Sequence, residues 1–563
     1  RFLMPASQSL SDIWTKWCNV TDLGLVTIKR EGPTQIQFWF IALIVGIAAG
    51  FAALGFRLAV DWLQSALYQA NDVSRLHSEA TKLLWYHIVL IPACGGLIVG
   101  LILHYFTEDG RSRSVADVIE GAALKEGRVQ VRRGFASAAA SLVTLSSGGS
   151  TGREGPVVHM AAVLSTVVCR FIRADGITGR DLLGCAVAAA VSASFNTPIA
   201  GALFALEIVL RHFAVHAFAP IVIASVAGTV INRLAFGDVT EFVLPAQNAL
   251  NFYVELPAFL LLGLLCGIIA VILMRSIFWT EDLANHLQKK TGLPGFLRPA
   301  IAGVLLGLIA VQFPQIIGVG YETTTQALSG NLTFQTAVMI ACVKVVAVAI
   351  TMGGRMGGGV FSPALMLGAL TGLAFGIVAT SLFPNVSGEG SLYALAGMGA
   401  VAAAVLGAPI STSLIVFELT GDWQTGLAVM VAVSMSTAVA SKLVDRSFFL
   451  TQLERRNVHL AAGPQAYLLA TFRVATVMRE AGIQGSADTE SCWQLIREGV
   501  YIDGNATLEQ AMPIFEAGNQ VFIPVVTISD EDAPPELWGA LFQVDALKVM
   551  NKALAATAAE EHS

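Results

Sequence analysis

The residues most able to do chemistry in this chain lie at positions 152–156, which read Gly-Arg-Glu-Gly-Pro. They end a polar, glycine-rich stretch, residues 146–156, between two apolar runs at residues 135–145 and 157–172. In a membrane, the charges of Arg153 and Glu154 are costly unless they face water, protein or a solute. The glycines remove side chains, so that backbone N–H groups can contact a small ligand, and Pro156 suits the first turn of a following helix. Because a helix N-terminus attracts negative charge, this segment is a candidate anion site. A tight connection between two helices is the alternative interpretation.

A second glycine-rich helix start indicates that the chain is internally duplicated. Residues 359–363 read Gly-Val-Phe-Ser-Pro and follow the first motif at an offset of 207 residues. Residues 195–207 match residues 406–418 at an offset of 211, and each segment has a proline after a short polar or glycine pair and a glutamate nine residues later. In transporters, such repeats are often inverted around a site at the bilayer midplane. Chance similarity between apolar segments is the alternative.

The composition places these motifs in a membrane. Hydrophobic residues make up 55% of the 563 residues and charged residues 13%, about half of the charged fraction of soluble domains. The mean hydropathy is +0.67. Residues 460–563 carry 5 Lys or Arg and 14 Asp or Glu, and this acidic tail argues against a nucleic-acid partner. The seven cysteines are scattered without a CxxC pair, so the sequence supports neither a disulfide framework nor a metal site.

Three parts are predicted along the chain. They are a cytosolic N-terminal segment (residues 1–35), a transmembrane domain (residues 36–459) and a cytosolic C-terminal domain (residues 460–563). The basic stretch at residues 110–133 belongs on the cytoplasmic side by the positive-inside rule, and both termini are expected there as well.

The apolar segments of the middle part differ in length. Residues 38–60 and 83–105 are each long enough to span a bilayer. Residues 181–192 and 198–209 are much shorter, which predicts helices of about ten residues that end inside the membrane around a polar site. The tail instead shows the pattern of a small α/β module, with strands predicted at residues 521–526 and 538–542 and helices at 507–517 and 544–554.

The two glycine-rich starts and the proline–glutamate repeat, in this order, resemble the CLC family of chloride channels and chloride/proton antiporters over about residues 36–456. The resemblance implies an all-α polytopic membrane protein with two inverted repeats of broken, tilted helices, assembled as a homodimer with one pore per subunit. Glu154 would then be the gating glutamate, whose carboxylate occupies the outer anion site and leaves it when protonated. A purely structural Arg153–Glu154 pair is the alternative.

The same resemblance implies anion contacts and a regulatory tail. Backbone groups of Arg153, Gly155, Val360 and Phe361 would line the anion sites. The tail resembles a cystathionine-β-synthase-type (CBS) module, with residues 506–548 as one repeat. Nucleotide binding there is not expected, because the tail has no convincing ribose-binding aspartate, and no other cofactor is expected.

Three positions depart from the family pattern. The central anion-binding serine corresponds to Arg113 or to Ser114, depending on the alignment anchor, and a solvated loop charge is the alternative for Arg113. The anion-contacting tyrosine near the end of the membrane domain corresponds to Phe449, which has no hydroxyl group. The internal proton-transfer glutamate of many antiporters corresponds to Ile208, and its neighbour Glu207 is interpreted as a structural or water-facing carboxylate.

These departures favour a gated chloride channel over the alternative, a chloride/proton antiporter with a non-standard proton route. A fluoride exporter of the same fold ranks last, because such proteins usually depart from the proline that is present here as Pro156. An enzyme is disfavoured, since the sequence shows no nucleophile–base constellation and no metal cluster. Chloride and similar anions, lipid and a second copy of the chain are the expected partners.

Overall fold

A computed structural model describes residues 33–70, 72–174, 176–213, 215–237, 252–384, 387, 390–458, 460, 469, 472–483, 485–518, 520–527 and 536–561. Nine helical segments within these residues are long and apolar enough to cross a membrane. The chain is therefore an integral, multi-pass membrane protein with a mostly helical fold.

The helices of the first half are α1 to α9. They are Gln35–Tyr68 (α1), Leu76–Ala80 (α2), Trp85–Phe106 (α3), Val115–Leu124 (α4), Val131–Ser146 (α5), Glu154–Ile172 (α6), Gly176–Phe195 (α7), Pro198–Phe204 (α8) and Val215–Phe236 (α9). A π-helical turn, Ala205–Leu210, continues α8.

The helices of the second half are α10 to α18. They are Phe252–Thr291 (α10), Arg298–Gln312 (α11), Tyr321–Leu328 (α12), Phe334–Gly353 (α13), Phe361–Leu382 (α14), Gly390–Leu406 (α15), Pro409–Thr420 (α16), Trp423–Leu443 (α17) and Phe448–Glu454 (α18). From α6 to α9 and from α14 to α17 the two halves have the same order of elements, which confirms the duplication predicted from the repeats.

The sequence explains where the helices of each half begin. Pro156 and Pro363 lie in the first turns of α6 and α14, where a proline removes only an N–H group that has no partner within the helix. Pro198 and Pro409 are the first residues of α8 and α16. Proline therefore marks the start of four helices that begin inside the protein.

Small residues allow the helices to pack closely. In α14, a Cβ atom placed on Gly368 would lie 2.3 Å from the carbonyl oxygen of Gly397 in α15. Such close approach of two backbones is the usual way in which helices associate in a bilayer, where burial from water provides no driving force. A larger side chain at this position would separate the two helices.

Two predicted spans are observed almost as expected, and one predicted short helix is wrong. Helix α1 contains the segment predicted at residues 38–60, and α3 contains all but the first two residues of the segment predicted at 83–105. The segment predicted to be about ten residues long at 181–192 is part of the 20-residue helix α7. The charges of Arg180 and Asp181 do not end this helix, because both side chains are buried inside the protein.

The tail contains a small α/β unit, as predicted. Its strands are Arg479–Glu480 (β1), Ile502–Asp503 (β2), Phe522–Thr527 (β3) and Glu536–Phe542 (β4), in the sheet order β1-β4-β3-β2. Its helices are Val474–Val477 (α19), Thr489–Arg497 (α20), Leu508–Gly518 (α21) and Gln543–Glu561 (α22). The guanidinium of Arg473 lies 2.7 Å from the carboxylate of Glu126 and joins the tail to the membrane domain. The CBS assignment and the three domain boundaries stay predictions.

Candidate functional site

The two glycine-rich helix starts meet in space. Gly152 and Gly359 form an isolated antiparallel bridge, in which each backbone N–H donates to the carbonyl oxygen of the other, at 2.7 and 2.9 Å. Helix α6 begins two residues after Gly152, and α14 begins two residues after Gly359. The bridge thus places two helix N-termini at the same point, as expected for a pair of inverted halves.

First-turn residues of four helices line one small cavity, called here the central cavity. They are Val115 of α4, Glu154 of α6, Phe361 of α14 and Phe449 of α18. Four helix N-termini therefore converge, and their unpaired N–H groups and dipoles favour a negative charge.

Five of the residues predicted to form the site line the central cavity together: Glu154, Gly155, Val360, Phe361 and Phe449. The volume of the cavity is about 10 Å³. A volume of that size is at the lower limit for a single water molecule.

The carboxylate of Glu154 lies beside the start of α14. The hydroxyl group of Ser362 donates a hydrogen bond to its Oε1 atom. A Cβ atom on Gly152 would lie 2.5 Å from Oε2, so glycine at this position leaves room for the carboxylate. Both Glu154 and Ser362 are buried.

A larger cavity of about 310 Å³, the arginine cavity, lies next to the central one. Its lining includes Ser114 and four basic residues: Arg111, Arg355, Arg455 and Arg456. Gly358 lines the arginine cavity, and the next residue in the chain, Gly359, lines the central cavity. Consecutive residues therefore contribute to both cavities. Glu281 and Asp282 offset part of the positive charge, the latter through an ion pair with Arg455.

The guanidinium of Arg113 is engaged elsewhere. It lies 3.0 Å from the carboxylate of Asp109 and 3.2 Å from that of Asp117. The backbone N–H of Arg113 donates to the hydroxyl of Ser137 at 2.8 Å. Among the described residues, Arg113 lines neither the central nor the arginine cavity. The Arg113 side chain is ion-paired and 14% exposed, so it is not the solvated loop charge of the alternative interpretation, and of the two candidates only Ser114 lines the arginine cavity.

Arg153 points away from the central cavity. Its guanidinium lies 5.1 Å from the centre of the Tyr321 ring and lines a third cavity of about 50 Å³, the His77 cavity. His77 lies 3.0 Å from the carboxylate of Glu322. Burial lowers the pKa of His77 below its ordinary value, and the carboxylate of Glu322 offsets part of that shift.

Glu207 caps a helix of the opposite half. Its carboxylate accepts hydrogen bonds from the backbone N–H groups of Ile410 and Ser411, at 3.0 and 2.8 Å, and from the Ser411 hydroxyl at 2.7 Å. Glu418 does the same for α8, through the N–H groups of residues 199 and 200 at 3.0 and 2.7 Å. These reciprocal caps agree with the structural interpretation of Glu207. The neighbouring Ile208 is buried.

Sequence reasoning missed Ser362 and most of the arginine cavity. Ser362 stands inside a motif that had been recognised, but nothing local shows that its hydroxyl faces a carboxylate 208 residues away. Arg355 is 100 residues from the adjacent pair Arg455 and Arg456, so the sequence does not mark the three as one cluster. Within the described residues, no group of three or more His, Cys, Asp or Glu side chains could hold a metal ion. The absence of a cofactor stays a prediction.

Buried helix N-termini around a carboxylate, with an arginine-lined cavity beside them in a multi-pass fold, define a membrane anion transporter. A family model described as "Voltage gated chloride channel" matches residues 95–441. The chain is 32% identical over 396 residues to a putative chloride channel protein ClcB-like of Ralstonia nicotianae, covering 70% of this chain and 91% of that protein. The chain therefore belongs to the CLC family.

Other relatives and solved structures agree with this membership. The chain is 29% identical over 435 residues to the H(+)/Cl(-) exchange transporter ClcA of Vibrio parahaemolyticus, covering 76% of this chain and 91% of that protein. A slow cyanobacterial Cl-/H+ antiporter has a similar structure, with a TM-score of 0.66, 22% identity and coverage of 75% of this chain and 98% of that one. A CLC-type fluoride/proton antiporter gives a TM-score of 0.61 at 18% identity, covering 73% and 97%. At these identities the two structures support the fold alone.

Proposed function

We propose that the chain conducts chloride through a pore whose gate is the carboxylate of Glu154. The observation that carries this proposal is the position of that carboxylate, in a small cavity at which four helices begin. A carboxylate and an anion compete for the same N–H donors, so the pore is blocked while Glu154 is charged and in place. Protonation removes the charge and allows the side chain to leave.

The three cavities form the path of the anion in this proposal. The arginine cavity concentrates anions by its positive potential, and Ser114 lines it. The central cavity offers the backbone N–H groups of Gly155, Val360 and Phe361. Phe449 contributes an apolar ring there and no hydroxyl donor. The backbone of Arg153 belongs to the same helix start, and its side chain lines the His77 cavity on the other side of the gate.

Passive conduction is favoured over coupled exchange. An exchanger needs a proton route to Glu154, and Ile208 cannot titrate. Glu207, the carboxylate next to Ile208 in sequence, accepts hydrogen bonds from backbone N–H groups at the N-terminus of α16. The alternative is a chloride/proton antiporter with a different internal route, and the name of the Vibrio relative supports it.

A flux experiment in liposomes separates the two mechanisms. The purified protein is reconstituted, a chloride gradient is imposed, and the pH inside the vesicles is followed with a dye. A channel moves chloride without moving protons against their gradient. Uphill proton movement that depends on the chloride gradient would contradict the channel and establish the antiporter.

The gate itself is tested with Glu154→Gln in the same vesicles. Gln has nearly the same shape but cannot titrate, so chloride flux should lose its pH dependence. Glu120→Gln, which removes a carboxylate that is ion-paired with Lys125 and lines none of the three cavities, is the matched control and should leave the gate's response in place. Unchanged pH dependence in the Glu154→Gln protein would show that the gate is another group.

The assembly and its orientation are also part of the proposal. The chain forms a homodimer with one pore in each subunit, both termini lie in the cytoplasm, and the tail regulates the membrane domain. The apolar side chains of Ile199, Ile410 and Trp423 are exposed on α8, α16 and α17, where they can contact lipid or a second subunit. Light scattering of the protein in detergent measures the mass and decides between monomer and dimer.

A further inference from the structure

Ser362 carries a hydroxyl group at the start of α14. The proposed anion contacts there are the backbone N–H groups of Val360 and Phe361, which do not need this hydroxyl. Ser362 is the second residue of α14, and its hydroxyl donates to Oε1 of Glu154, which is the first residue of α6. The two residues are 208 positions apart, one in each half of the chain. The contact therefore joins the two halves at the gate.

The surroundings strengthen this hydrogen bond. The other side chains that line the central cavity are apolar: Val115, Val158, Val191, Phe195, Phe204, Val360, Phe361, Leu406 and Phe449. Arg153, the charged neighbour of Glu154 in sequence, has its guanidinium over the ring of Tyr321. A hydrogen bond to a carboxylate is stronger than a bond between neutral groups, and an apolar environment increases it further.

The proposed function rests on Glu154, and this inference rests on the proposed function. We propose that Ser362 is a positioning residue that holds the charged carboxylate of Glu154 in the blocking position. Protonation of the carboxylate weakens the bond, because the acceptor loses its charge, and the side chain is then released. The hydroxyl sets how firmly the gate closes and, through that, the pH at which it opens.

The size of the effect follows from the chemistry of the bond. A hydrogen bond to a charged group corresponds to about a 10- to 100-fold change in an equilibrium constant. Ser362→Ala removes the hydroxyl with little change in volume. The midpoint of the pH–flux curve should therefore move up by about one to two pH units, because one pH unit corresponds to a tenfold change. Flux at neutral pH should rise accordingly.

The experiment measures chloride efflux from liposomes that contain the full-length protein, over a series of pH values. Four variants are compared with the wild type: Ser362→Ala, Ser362→Thr, Glu154→Gln and the double variant Ser362→Ala/Glu154→Gln. Thr371→Ala is the matched control, because Thr371 is also in α14 but its hydroxyl bonds to the carbonyl of Leu367 in the same helix. Size-exclusion profiles check that each variant is folded.

The proposal expects Ser362→Ala to shift the midpoint upward, Ser362→Thr to restore it in part, and Thr371→Ala to leave it unchanged. The double variant should behave like Glu154→Gln alone. An equal increase of flux from Ser362→Ala with and without Glu154 would show that Ser362 acts on the anion and would overturn the proposal.

The two levels of the proposal fail in different ways. If Glu154→Gln abolishes the pH dependence but Ser362→Ala leaves the curve of the wild type, the gate stands and the role of Ser362 is refuted. If Glu154→Gln keeps the pH dependence of the wild type, the gate assignment is refuted, and the role of Ser362 with it. If Ser362→Ala does not fold, Ser362→Cys, which keeps the volume but donates only weakly, takes its place and should produce the same upward shift.

Discussion

The role of Glu207 can be tested by comparing it with its counterpart in the other half. Glu207→Gln keeps the size of the side chain but removes its charge, while Glu418→Gln makes the same change at the N-terminus of α8. Glu207 accepts three hydrogen bonds from Ile410 and Ser411, between 2.7 and 3.0 Å, and Glu418 accepts two, at 3.0 and 2.7 Å. If both residues are caps, both variants should lose stability by similar amounts.

The magnitude can be worked out from these contacts. One hydrogen bond to a charged group contributes about 1.5–3 kcal/mol. The amide oxygen of Gln can still accept a hydrogen bond. Its NH₂ group is a donor, however, so it cannot accept from the remaining N–H groups. Both carboxylates are half-buried, which reduces the effect. We therefore expect each variant to lower the free energy of unfolding by about 1–2 kcal/mol, since charge at a helix N-terminus adds to the hydrogen bonds.

Two measurements on the same preparations decide between a cap and a proton relay. Thermal unfolding in detergent reports stability, and chloride flux with internal pH in liposomes reports coupling. If both residues are caps, both variants should melt at a lower temperature than the wild type. Neither variant should change the number of protons moved per chloride. The reasoning would be refuted if Glu207→Gln melted like the wild type but abolished proton movement, while Glu418→Gln left that movement intact.

Three further predictions concern the arginine cavity, the tail and the His77 cavity. Arg355→Gln should lower chloride conductance by about 2- to 5-fold at low salt and by less at high salt, because Arg355 lines the arginine cavity. Arg113→Gln should have a much smaller effect in the same recordings, and equal effects would contradict this assignment. Deletion of residues 460–563 should leave chloride flux in liposomes, because every residue of the central cavity precedes the tail. A truncated protein that folds but gives no chloride flux would show that the tail is needed for conduction. Burial lowers the pKa of His77, so the unfolded chain binds the proton more readily and stability falls as the pH drops below about 6.5. His77→Gln should reduce that fall in melting experiments at about pH 7.5 and 5.5, and an unchanged fall would assign it to other groups.

Local patterns in the sequence were enough to predict much of the fold. The long apolar segments of α1 and α3 and the proline-marked starts of α6, α8, α14 and α16 follow from hydropathy and from the geometry of proline, which act within a few residues. Helix α7 was predicted too short for a related reason. In the sequence, the charge of Asp181 indicates the end of an apolar segment. In the structure, tertiary packing buries this side chain and the helix continues through it.

The candidate site was predicted in part. Glu154, Gly155, Val360, Phe361 and Phe449 were assigned from their motifs, and the structure brings them to one cavity. The partner of Glu154 was not predicted, because a serine in a glycine-rich motif can cap a helix, face solvent or contact the other half, and its local sequence is the same in each case.

The sequence by itself determined the class of the protein, the two homologous halves and the residue types of the candidate site, since composition and motif spacing are properties of the chain. Only the tertiary structure decided which groups meet: Ser362 with Glu154, Glu207 with α16, and Arg113 with Asp109 and Asp117 instead of the central or the arginine cavity. The physical reason is that these contacts join residues whose side-chain directions depend on how whole helices pack. Helix starts far apart in the chain form one site because the two inverted halves place their N-termini, and hence their unpaired N–H groups, around the same point.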